Sequence, residues 1–387
     1  MAAVDRAVNI EDLRRLALRR LPHFVSDYLD GGAGDGGGIQ CNIDAFRRYK
    51  LMPRGLEAAP PVDTSSELFG RTYASPFGIS PVGIAGIYRR HADELLAEAA
   101  RDANIPFVLS GASMASIETV ARIAPENTWY QLYGAHAAEV TSDMLRRARD
   151  AGVQVLVYTV DYPVAPRSEV VSRTGVSMAT GPTIRTFPKL FLDALLHPAW
   201  SAEYLRNGGL AKLESWAPYA PPGSSAKQVA KFYVEHWSNT QTWQDLDNIR
   251  NIWKGPLVVK GLVHPDDVKR AVGAGADAVT VSNHGGNKLD CMQSCLESLA
   301  QMRAAVGTDV RLFFDGGIRR GSDLIVAKAL GADHCFLGRA AIYGVAAGGL
   351  RGAKRAIDIL QMDLSYTMAM IGIRSVSNVT RDYLTTS

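Results

Sequence analysis

The chain has 387 residues and a formal net charge of +3, with 47% hydrophobic and 21% charged residues. That balance fits a globular chain with a sizeable core and excludes a disordered or fibrous one. The small charge, without a basic tract, argues against a nucleic-acid partner, and no run approaches the roughly 20 apolar residues of a membrane span.

Residues 9–29 place Leu13, Leu16, Leu18, Leu21, Phe24 and Tyr28 near helical spacing, which predicts a helix. The glycines of 31–38 follow and predict a turn or flexible loop rather than regular structure. The N-terminus lacks the apolar core of a secretory signal, so a reducing, cytoplasmic setting is expected. The four cysteines (Cys41, Cys291, Cys295 and Cys335) form no CxxC pair and read as small semi-buried residues.

From residue 76 apolar runs alternate with amphipathic helical patterns. The runs are 76–83, 106–112, 128–133, 153–161, 256–261, 278–284, 310–317 and 334–339. Helical patterns separate them at 93–103, 138–151, 265–273, 293–305 and 322–330. Continuous apolar strands between helices predict a parallel sheet, and eight repeats predict closure into a (β/α)8 barrel, which needs about 250 residues. The expected organisation is a helical N-terminal extension over 1–75, a barrel over 76–387 and a long insertion over 165–242. That insertion carries a hydrophobic piece at 187–205 and reads as a lid, an oligomer contact or a membrane-docking segment.

Nearly every run ends in polar residues or glycine, and barrel active sites collect at these C-terminal strand ends. Asp315-Gly316-Gly317-Ile318-Arg319 after the seventh run and Gly338-Arg339 after the eighth suit an anion: small residues open the backbone N–H groups, and arginine adds charge. No GxGxxG or Walker pattern is present, which disfavours nicotinamide dinucleotides and nucleoside triphosphates. Gln131, Thr159 and Lys260 are donors suited to a flavin edge, where a cation would stabilise a reduced, negatively charged ring. In Ser282-Asn283-His284-Gly285-Gly286, glycines leave space beside the imidazole, and Asp161 is placed to orient it. His284 has no second ligand at metal spacing, so no metal is expected.

These pieces together resemble the FMN-dependent 2-hydroxy-acid oxidase and dehydrogenase family. The resemblance rests on Pro81-Val82-Gly83, Leu109-Ser110, Gln131-Leu132-Tyr133, Thr159-Val160-Asp161, Val259-Lys260-Gly261, SNHGG at 282–286, DGGIRRGSD at 315–323 and LGR at 337–339. IPFVLSGAS at 105–113, HPAW at 197–200 and GRAAIYGVAA at 338–347 bring it closest to the bacterial (S)-mandelate and L-lactate dehydrogenases of that family.

The resemblance implies oxidation of a small (S)-2-hydroxy acid to the 2-oxo acid, with FMN held by Pro81, Val82, Gly83, Ser110, Gln131, Thr159, Lys260, Ser282, Asp315, Gly316, Gly317, Arg319, Gly338 and Arg339. It implies His284 as base, supported by Asp161, with Tyr28 and Tyr133 on the substrate. Gly83, where several oxidases have alanine, leans toward a quinone-like acceptor over O2. A homotetramer and peripheral membrane contact through 187–205, on the inner face of the cytoplasmic membrane, are further implications.

Two positions depart from the pattern. The family reads SNHGGR and this chain has Asn287. The family's second carboxylate-binding arginine falls at Ser168; Arg167, one residue early, is expected to take its place through a one-residue loop adjustment and to bind the substrate together with Asn287. A neutral amide binds a carboxylate less strongly than a bidentate guanidinium. Alternatives are therefore an FMN oxidoreductase acting on an ester, amide, amine or peptide-derived metabolite, and a flavin-binding protein without turnover, against which His284, Asp161 and Tyr133 argue.

Overall fold

Eight parallel strands close into a barrel in the computed structural model, which describes residues 2–56, 61–164, 167–175 and 186–386. They are β1 (Phe77–Ile79), β2 (Phe107–Leu109), β3 (Thr128–Leu132), β4 (Leu156–Thr159), β5 (Leu257–Leu262), β6 (Ala278–Val281), β7 (Leu312–Asp315) and β8 (His334–Leu337). Closure comes from β8 on β1, with Cys335 beside Phe77 and Leu337 beside Ile79. Helices pack outside the barrel and side chains fill it, so the strands are buried on both faces. This explains their continuous apolar runs.

The N-terminal end of the barrel is plugged. Val108, Trp129, Val258, Phe313 and Phe336 fill the interior together with Leu68 and Tyr73 from a hairpin, Ser66–Leu68 paired antiparallel with Arg71–Tyr73. At its tip Phe69 (φ 50°) and Gly70 (φ 80°) make the turn, and the Phe69 ring lies 5.8 Å from Trp129 and 6.0 Å from Phe313. With the floor sealed, the open end is the one where the strands finish.

The surrounding helices follow local rules. In Cys295–Val306, Ser294 and Glu297 form a capping box while Cys295, Leu296, Leu299 and Met302 face the core. The last helix, Arg339–Ile371, bends at Gly348 and Gly349, where the Val4 side chain occupies the place of a Cβ on Gly348. Helix Ile10–Arg20 packs on that last helix.

Three local expectations are corrected. The helix over 9–29 is two, Ile10–Arg20 and His23–Asp30, because Leu21 before Pro22 is driven into extended geometry. The glycines at 31–38 are not all loop: Gly37 and Gly38 open helix Gly37–Ala45 after Gly36 at φ 93°. The piece at 187–205 is two helices, Phe187–Leu196 and Pro198–Arg206. In the second, Trp200 and Tyr204 turn inward and donate to the carbonyls of Ile87 and Gly86. In the first, Phe187, Phe191, Leu192, Leu195 and Leu196 are each more than half exposed.

Candidate active site

The buried polar groups cluster where the strands end. Lys260 on β5 reaches Asp315 at the end of β7 (2.8 Å) and donates to Ser282 Oγ after β6 (2.7 Å). Ser80, just past β1, donates to the same Asp315 oxygen at 3.1 Å. Burial alone would strip the charge from Lys260, but Asp315 and Asp161 outweigh it and raise its pKa, so the ammonium persists in a dry site.

On β3, Gln131 Oε1 accepts from Gly111 N (3.1 Å) and Ser110 Oγ (3.3 Å). Its Nε2 is buried and has no partner among the described residues, and the same holds for Thr159 Oγ1 on β4 and the second oxygen of Asp315. Buried polar atoms without partners are rare and need a reason. These three belong to β3, β4 and β7 on the side where the strands finish, behind one mouth, where a flat, polar-edged ring would satisfy them.

His284 stands in a left-handed run that two glycines complete. His284, Gly285 and Gly286 have φ of 56°, 66° and 78° in succession. A Cβ on Gly286 would lie 2.5 Å from Ile39 N, so the helix that starts at Gly37 can approach only a glycine. The loop is pinned by Asn283, whose Oδ1 accepts from Gly286 N (3.0 Å) and whose amide pairs reciprocally with the buried Asn42 (2.8 and 3.0 Å). His284 Nδ1 lies 3.0 Å from Asp161 Oδ2, which leaves Nε2 for a substrate. Burial pushes the Asp161 carboxyl up, but His284, Lys260 and Lys288 outweigh that and hold it at about 2. Tyr162 meets the imidazole edge-on at 5.9 Å, and Trp237 from the insertion lies 4.9 Å from Tyr162 and 5.8 Å from Tyr133.

At the other end, Gly316 and Gly317 have φ of 108° and 86°, and a Cβ on Gly317 would fall 2.3 Å from Asn42 O. Asp323 accepts from the backbone of Arg319 and Arg320 (2.8 and 2.9 Å) and fixes the turn. Arg339 donates to the carbonyls of Leu29, Gly31 and Gly285 (2.9, 2.8 and 2.7 Å), tying the N-terminal extension to the His284 loop.

One cavity joins most of the predicted residues. Pro81, Val82, Gly83, Lys260, Asp315, Gly316 and Gly317 line it, as do Arg319, Gly338 and Arg339; Tyr28, Tyr133, His284 and Asn287 line it too. Ser110, Gln131, Thr159 and Ser282 are buried just behind. Arg167 is apart: its side chain is exposed, it is not in the lining, and its carbonyl accepts from Gly34 N (2.9 Å). Sequence reasoning missed Tyr162, Trp237 and Lys288. Tyr162 directly follows Asp161 and was within reach of a reading of strand ends; Trp237 lies more than 70 residues away in the chain and gave no local signal.

A barrel with a glycine- and arginine-lined end, unsatisfied polar groups behind its mouth and a histidine–carboxylate pair beside them is the framework of a flavin-dependent oxidoreductase. The chain belongs to the FMN-dependent dehydrogenase family, whose profile matches residues 17–386. It is 37% identical to (S)-mandelate dehydrogenase of Pseudomonas putida, covering 97% of this chain and 93% of that one. It is 35% identical to L-lactate dehydrogenase of Xanthobacter autotrophicus, covering 96% and 95%. The crystal structure of the monotopic membrane protein (S)-mandelate dehydrogenase superposes with a TM-score of 0.93 at 36% identity, over 99% of this chain and 100% of that one. An arginine-to-leucine variant of mandelate oxidase, solved with 2-hydroxy-phenylacetamide, superposes with a TM-score of 0.81 at 30% identity, over 98% of each chain.

Proposed function

We propose that this enzyme oxidises a small (S)-2-hydroxy acid, mandelate- or lactate-like, to the 2-oxo acid. The observation that carries the reading is the His284–Asp161 pair at 3.0 Å, at the same mouth as the unpartnered donors of Gln131 and Thr159. Gln131, Thr159, Lys260 and Ser282, with the backbone of Pro81 to Gly83 and Ser110 behind, hold the flavin ring. Asp315 anchors Lys260, and Gly316, Gly317, Arg319, Gly338 and Arg339 hold the phosphate end. Bound FMN supplies the two-electron sink. His284 Nε2 takes the substrate proton, and the Asp161 carboxylate stabilises the imidazolium that results. Tyr28 and Tyr133 orient the substrate's polar groups, and Trp237 and Tyr162 keep water from the imidazole side.

A second reading is an uncharged substrate, an amide or ester of such an acid. Asn287 in the lining and Arg167 outside it favour this reading, and a mandelate oxidase that has lost an arginine is known with a hydroxy amide. Anaerobic bleaching of the FMN by a panel of (S)-2-hydroxy acids and their amides separates the two. Bleaching by the acids is expected; bleaching by the amides alone would give the second reading.

The proposed electron acceptor is quinone-like, reached from a membrane surface. No helix among the described residues is long and apolar enough to cross a membrane. Helix Phe187–Leu196 has no buried residue and shows five large apolar side chains to solvent, which suits insertion into one leaflet.

A further inference from the structure

We propose that Lys288 is the cation that receives the substrate carboxylate, reaching it from the face of Tyr162. The inference rests on the reading of the substrate as a 2-hydroxy acid and names the group that recognises its charge. The cations that line the cavity are committed. Lys260 is held by Asp315 and Ser282, and Arg339 by three carbonyls. Arg319 belongs to the glycine-rich end beyond β7, and Asn287 is neutral.

Lys288 is different. Its Nζ is buried and has no hydrogen-bond partner among the described residues. It lies over the ring of Tyr162, a cation–π contact that parks an ammonium without giving it a counterion. Lys288 is not itself in the cavity lining; Tyr162 beneath it and Asn287 beside it in sequence are. Among the described residues the groups facing it are Asp161, whose negative charge acts on it, the Tyr162 phenol and, across that ring, His284. Asp161 is already hydrogen-bonded to His284 through both oxygens (3.0 and 3.1 Å). Burial lowers the amine to about 7 despite Asp161.

A buried ammonium without an anion is unfavourable, and an arriving carboxylate supplies what is missing. Lysine suits this movement, with a flexible four-carbon stem and three rotatable donors. The left-handed run of His284 to Gly286 leads the loop on to Asn287, which lines the cavity, with Lys288 directly behind it in the chain. Two consequences follow. Lys288 discriminates acids from their uncharged analogues. Binding an acid at pH 8 draws a proton onto Nζ, because the new anion favours the charged amine.

The test uses FMN-loaded wild type, Lys288→Met and Lys288→Arg, reduced anaerobically by (S)-mandelate and by (S)-mandelamide. Lys288→Met is expected to raise the half-saturating mandelate concentration about tenfold to a hundredfold. The limiting reduction rate and the response to mandelamide should change little, and Lys288→Arg should restore the acid. Calorimetry of phenylacetate binding at pH 8, in two buffers of different ionisation enthalpy, should show proton uptake in wild type. That second measurement needs no variant to fold. An unchanged acid-to-amide ratio in Lys288→Met, or no proton uptake by wild type, overturns the role of Lys288 and leaves the proposed activity standing. Reduction of wild type by the amide but not by mandelate overturns the proposed activity itself and this inference with it.

Discussion

His284 Nδ1 and the Asp161 carboxylate face each other at 3.0 and 3.1 Å, joining the ends of β6 and β4, which are not neighbours in the barrel. Lysine 260 on the strand between them adds positive charge near the same carboxylate. The pair therefore bridges two segments that leave the barrel on either side of β5, and Asn283 and Asn42 hold the His284 side in place.

Asp161→Asn should keep FMN but lower the rate of flavin reduction about a hundredfold, since an amide does not stabilise an imidazolium. It should also change acid stability. The Asp161 carboxyl sits at about 2, below its ordinary 3.8, so its ionisation contributes stability above about pH 4 that is lost as pH falls through 2. Unfolding midpoints measured between pH 4 and 2 should fall less steeply in the variant. Equal slopes would mean that Asp161 is not held by its neighbours.

His334 gives a second pH effect at the opposite end of the barrel. It is fully buried on β8 among Tyr73, Phe313 and Phe336, and burial lowers it from an ordinary 6.5 to about 3. The folded chain thus holds it neutral, while the unfolded chain protonates below 6.5. Stability is lost as pH falls through that range, at about 1.4 kcal/mol per unit. His334→Phe should remove about 2 kcal/mol of the stability difference between pH 7 and pH 5 in urea unfolding. A variant with the same pH dependence as wild type would contradict this.

Much of this architecture was legible in the sequence because its signals are local. The eight apolar runs fall on the eight strands, and the site residues at their ends, from Gln131 to Arg339, converge because closure of a parallel barrel brings all such ends together. What stayed hidden depends on distant contact. The hairpin Ser66–Leu68 and Arg71–Tyr73 has no strong pattern of its own; it is defined by the barrel interior it plugs. Trp237 reaches the site through the fold of a long insertion. Arg339 reads as a phosphate ligand, yet its guanidinium is also a tie between Leu29, Gly31 and Gly285. Arg167 was near enough in sequence to replace a family arginine, but the backbone beside Gly34 turns its side chain to solvent. Lys288 went unread because an exposed, solvated lysine is the ordinary case, and only burial of its Nζ sets it apart.

The exposed face of Phe187–Leu196 predicts vesicle binding. Phe191 and Leu195, 60% and 63% exposed, stand one helical turn apart. Burial of each in lipid contributes about 1.5–3 kcal/mol. Phe191→Asp with Leu195→Asp should abolish flotation with lipid vesicles and leave anaerobic reduction by substrate unchanged. Retained flotation would remove this helix as the docking element.

The most direct test of the catalytic assignment is stopped-flow reduction of FMN-loaded His284→Ala under anaerobic conditions, beside wild type, with the best hydroxy acid. A full complement of bound FMN is expected, because the other residues of the cavity are untouched, with a reduction rate lower by at least about a hundredfold. Bleaching at the wild-type rate would contradict this and take the proton transfer away from His284.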